Sequence, residues 1–153
     1  MKWIKRCLVT LLIFGILLVG SLVLYVEEEN KAIEQYATSL SALPEVESVQ
    51  RISKFNGTKT YYVADVTLKS GIEHVYFIHN DQVVHYEPKV NIQPINKVLE
   101  AVRAINENPV AHYYLGMYED QPVYEVAVTS KNKTHYVIVD AKTAEVLDEF
   151  EIK

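Results

Sequence analysis

The chain has 153 residues, 49% of them hydrophobic, with 15 basic and 20 acidic side chains and a single cysteine, for a formal charge of −5. That length admits one ordinary domain or two small ones. One cysteine excludes an internal disulfide framework, and the acidic balance makes nucleic acid a poor partner.

Residues 1–6 carry Lys2, Lys5 and Arg6, and residues 7–26, CLVTLLIFGILLVGSLVLYV, contain no charged residue. Twenty residues at about 1.5 Å each match the roughly 30 Å hydrocarbon core of a bilayer, so the run predicts a transmembrane helix. Basic residues before it and Glu27, Glu28 and Glu29 after it predict a cytoplasmic N-terminus and an extracellular remainder, a single-pass signal anchor in the cell membrane. A cleaved signal peptide ending near Val19-Gly20-Ser21 is the rival, but the apolar run continues beyond that site to Val26. Cys7 stands at the start of the run, whereas a bacterial lipoprotein cysteine follows its apolar run. From Glu27 onward there are 12 basic against 20 acidic residues, a balance of −8.

Sliding that remainder against itself by 62 residues pairs Ile33 with Ile95, Ala42 with Ala104, Glu45 with Glu107, Tyr62 with Tyr124, Val66 with Val128 and Thr67 with Thr129. Lys69 with Lys131, Val75 with Val137, Val84 with Val146 and Glu87 with Glu149 complete ten identities. Two tandem modules follow, about 30–88 and 92–153, within domains 27–89 and 90–153 joined through Pro88 to Pro94. Each opens with a helical pattern, Ile33, Tyr36, Ala37 and Leu40 in the first and Ile95, Val98, Leu99, Val102 and Ile105 in the second. Pro94 marks a helix start and Asn106 to Pro109 a stop; the first helix is expected to continue straight from the apolar run.

Strands follow, punctuated by Asn56-Gly57, Ser70-Gly71 and Asn80-Asp81 in the first copy and by Glu119-Asp120, Lys131-Asn132-Lys133 and Lys142-Thr143 in the second. Alternation puts Tyr62, Ala64, Val66 and Leu68, and likewise Tyr124, Val126 and Val128, on the face under the helix, with Asp65, Glu125 and Thr129 opposite. The fold class is therefore α+β: an N-terminal transmembrane helix, then two modules of one helix packed on an antiparallel meander, steadied by a shared interface.

The stretch PVYEVAVTSKNKTHYVIVDAKTAEVL, 122–147, resembles the PepSY domain, whose strands end in a V-D-x-x-T-G-E-V turn; the matching residues are Val139, Asp140, Thr143, Glu145 and Val146. Ala144 stands where that family has glycine, which predicts a different turn or strain. The whole arrangement resembles the YpmB family, also described as TseB-like regulators of cell wall elongation in Gram-positive bacteria. That resemblance implies cystatin-like modules, no catalysis, no cofactor, and a penicillin-binding transpeptidase of peptidoglycan synthesis as partner. PepSY units also resemble protease propeptides, which admits an inhibitor or chaperone of a surface protease, and outward tyrosines admit a peptidoglycan glycan-binding module.

Candidate chemistry is sparse. The histidines, His74, His79, His85, His112 and His135, lack metal-ligand spacing and read as strand-surface residues rather than a metal site. Glu119-Asp120 and Asp148-Glu149 read as solvated charge rather than a glycosidase pair. Ten of the 11 tyrosines lie beyond residue 26, and adjacency on a strand predicts Tyr61, Tyr76, Tyr113 and Tyr118 as outward aromatics of an interaction surface.

Overall fold

The computed structural model describes residues 2–130 and 133–152, and describes no side chain at 2–13, 16 or 25. The expected turn at Lys131-Asn132 and the side chain of Cys7 lie outside what is described. The chain divides into two compact units, Met1–Ser39 and Leu40–Lys153.

The first unit is the body of helix α1, which spans Lys2–Ser41. Its described apolar side chains are exposed all round the helix, Phe14, Leu17, Leu18, Val19, Leu22, Val23, Leu24 and Val26 among them. Past that stretch the surface becomes polar, with Lys31 Nζ 2.9 Å from Glu27 one turn back. Among the described residues no helix is long and apolar enough to cross a membrane. Of the run expected to do so, residues 7–13, 16 and 25 lie outside the described side chains.

The second unit holds two four-stranded antiparallel meanders. β1 (Val46–Asn56), β2 (Thr60–Leu68), β3 (Glu73–His79) and β4 (Gln82–Pro88) form the first, in chain order. A 3-10 turn at Lys89–Asn91 leads into α2 (Ile95–Ile105), and β5 (Val110–Tyr118), β6 (Gln121–Ser130), β7 (Lys133–Asp140) and β8 (Val146–Ile152) form the second. The elements of the two sheets coincide at the 62-residue offset read from the identities. This is a cystatin-like α+β arrangement.

Local chemistry explains the boundaries. Pro94 is the N-cap of α2 at φ −64°. Its fixed ring suits that position, where a backbone N–H would have no helical partner. At the other end Asn106 leaves the helix with its N–H still on the Val102 carbonyl, and Asn108-Pro109 prevents continuation. Asn80-Asp81 and Glu119-Asp120 are two-residue hairpin turns with positive φ at both positions, the backbone whose twist matches paired strands.

The α2 side of the second sheet follows the alternation: Val98 and Val102 meet Tyr124, Val126, Val128, Val137 and Val139 in one buried cluster. Two tyrosines expected to point outward do not. Tyr76 is buried because the register sets it opposite Ala64, on the face assigned to the helix; it lies against Tyr86 and His74. Tyr61 does lie on the opposite face, but the second module covers it. It is buried with Phe55, Val63, Val75, Phe77 and Met117 of β5, and Ile92 and Leu115 border both this cluster and the one under α2.

Polar contacts reinforce that join. Glu87, 9% exposed, receives the Lys142 ammonium at 2.6 Å and the Asn91 amide at 2.7 Å, with His85 Nε2 at 3.3 Å. The Lys142 hydrogen bond, aided by Asn91 and His85, holds its carboxyl below the usual range against the opposing effect of burial. Gln93 adds two bonds to the same region, its N–H donating to the Ala141 carbonyl and its side-chain amide to the Lys142 carbonyl, both at 2.7 Å.

Candidate functional site

The face of the second sheet away from α2 is the most distinctive surface of this unit. Antiparallel register lays its residues out in rows. One row runs Tyr114, Glu125, Ile138, Asp148 across β5 to β8, and the next runs His112, Ala127, Tyr136, Phe150. Tyr136 and Phe150 stack at 5.4 Å and 11°, and His112 meets Tyr136 edge-on at 6.3 Å. The Tyr118 hydroxyl donates to Asp148 Oδ2 at 3.0 Å, which raises the tyrosine's pKa.

The first module supplies a wall. Phe55, Asn56, Gly57 and Thr58, at the end of β1 and in the loop before β2, stand beside this face and close a groove of about 520 Å³. Phe55 reaches over the edge of β5 because Gly116 there has no side chain; a Cβ at that position would overlap the ring.

Glu125 is the unusual member. It sits half-buried on the groove floor, and burial alone holds its carboxyl above the usual range, the mark of a desolvated acid without a compensating donor. The groove's lining includes Asp148 but no lysine or arginine.

The four tyrosines expected to form one surface are dispersed. Tyr61 and Tyr76 are buried, Tyr113 borders a smaller inter-module cleft with Arg51, Asp65 and Lys89, and Tyr118 alone lines the groove. The histidines likewise have separate surroundings: His79 Nδ1 lies 2.8 Å from the Thr60 carbonyl, and His85 packs on Phe77 beside Glu87. The sequence reading missed His112, Tyr136, Ile138 and Phe150. Their signal was an apolar second face on β7 and β8, Tyr136 and Ile138 then Phe150 and Ile152, where a solvated sheet would alternate with polar residues.

The Asp140–Val146 turn is a structural device. Asp140 Oδ1 accepts from the N–H groups of Lys142 (2.7 Å) and Thr143 (2.8 Å), and Thr143 Oγ1 accepts from the Glu145 N–H. Val139 is buried beneath α2, and the turn carries Lys142 toward Glu87. Ala144 closes the turn at φ +63°, the left-handed conformation in which glycine is the unstrained residue. Its partial packing on the α2 core offsets some of that strain. Ala144→Gly should therefore stabilise the protein by about 0.5–1 kcal/mol, and Ala144→Val should destabilise it, as read from thermal melts.

A helix laid across an antiparallel meander, closed by this Asp-x-x-Thr turn, is a PepSY-like arrangement. Residues 95–150 match the family model for PepSY, the peptidase propeptide and YPEB domain. The chain is YpmB-like in fold: the YpmB protein from Bacillus subtilis superimposes with a TM-score of 0.67 at 18% identity, over 78% of this chain and 96% of that one. A candidate lipoprotein from Clostridium difficile 630 aligns with a TM-score of 0.43 at 13% identity, over 84% of this chain and 92% of that one. No curated protein matches the chain.

Proposed function

We propose that the chain is a membrane-anchored, extracytoplasmic binding protein that acts without catalysis, its partner a penicillin-binding transpeptidase of cell wall elongation. The observation that carries this reading is the outer groove: broad, open, aromatic, and built by two modules together, it suits a segment of another macromolecule. Phe150 and Ile152, exposed on the edge strand β8, are part of its lining and carry its apolar surface to the sheet edge.

Anchoring rests on the uncharged run at 7–26 between basic and acidic flanks, and on apolar side chains exposed around α1, a distribution that water does not favour and lipid does. Attachment to the membrane raises the effective concentration of the groove toward membrane-bound partners. Crosslinking in intact membranes from a groove position tests the reading. The transpeptidase should be captured, and a groove that captures none would remove it.

A further inference from the structure

We propose that the groove receives a basic segment of the partner protein, with a lysine or arginine side chain reaching Glu125 and its aliphatic stem lying along Tyr136 and Phe150. This deepens the binding reading above and is tested separately from it.

Among the described residues the Glu125 carboxylate has no hydrogen-bond or ion-pair partner. Holding a carboxylate half out of water without a donor is unfavourable, and an incoming ammonium or guanidinium reverses that. Asp148 stands in the same row, one strand beyond Ile138, and the carboxylates of Glu125 and Asp148 have no lysine or arginine counter-charge within the groove's lining. The net charge of −8 beyond residue 26 adds a field of the same sign, which steers a cation inward.

The floor chemistry agrees. The Tyr136–Phe150 stack and Tyr118 offer ring surface within the same groove as the carboxylate, an arrangement suited to cation–π contact and to a buried aliphatic stem. Aromatic rings beside one unpaired acid select a long cationic side chain over a short polar or an anionic one.

The test uses the full-length chain in detergent micelles and a blocked, dye-labelled peptide with one lysine between valines, compared by fluorescence anisotropy with its norleucine counterpart. The lysine peptide should bind about tenfold or more tightly than the norleucine one, and Glu125→Gln should abolish that preference. Glu149→Gln, the same charge change outside the groove, should leave it intact, with unchanged melting of both variants as the folding control. Equal affinity of the two peptides, no binding of either, or equal loss in Glu149→Gln would each overturn the proposal. Transpeptidase capture without a lysine preference leaves the binding reading standing and ends this one; a lysine preference without capture does the reverse.

Discussion

Replacing Gly116 by alanine should unfold the join between the two modules at a cost of about 3 kcal/mol, while the same replacement in a Phe55→Ala background should cost almost nothing further. Phe55 is 3% exposed, and its ring occupies the space a Gly116 side chain would need. A well-packed core meets an added methyl by forcing side chains off their rotamers and shifting backbone, which costs about 1–3 kcal/mol and occasionally more. Here the neighbour is a ring that a second glycine also approaches closely, for a Cβ on Gly57 would stand 2.7 Å from Phe55 Cε1. Phe55→Ala alone removes the ring from its cluster and should cost about 3–5 kcal/mol. Because the two sites share one contact, their effects are strongly non-additive, and chemical denaturation of the four proteins in the cycle measures this. Additive losses would mean that the ring does not lie on Gly116.

The second large effect is electrostatic. Glu87→Gln should destabilise the protein by about 1.5–3 kcal/mol at neutral pH, the range for hydrogen bonds to charged groups, with the lower end favoured because Lys142 remains 41% exposed and is easily rehydrated. The Glu87 carboxyl is held below its usual range in the folded state. Its contribution is therefore fully present above the unfolded value, about 4.3, and is lost as pH falls through the lower folded value. The difference in melting temperature between wild type and Glu87→Gln should shrink as pH is lowered below about 4.3. Glu125, raised by burial, contributes with the opposite sign, but it is common to both proteins and cancels in the difference. A gap that persists undiminished at low pH would show that Glu87 acts by shape alone.

The two meanders and α2 were legible because their signals lie in the sequence itself. Pro94 and Asn106 bound α2, Asn80-Asp81 and Glu119-Asp120 make tight hairpins, and the 62-residue identities align elements that the structure also aligns. The surfaces were harder to read because they depend on how one module covers the other. Alternation assigned Tyr61 to the correct face of β2 but could not reveal that Met117 would cover it. Tyr76 was misplaced by register, since its pairing with Ala64 sets its side, and pairing is a long-range property. Glu125 was correctly placed opposite the helix, yet nothing in its own strand shows that the β1–β2 loop would wall it in and partly desolvate it. Ala144 is the converse, for its departure from glycine predicted strain from the sequence and the backbone adopts the strained region.

The most direct measurement is photocrosslinking in intact membranes with a crosslinker at Phe150 in the groove, compared with one at Val90, which is 89% exposed and lies outside the groove's lining. The expected result is a covalent complex with a penicillin-binding transpeptidase from position 150 and none from position 90. Capture from Val90 alone, or no transpeptidase from either position, would contradict it.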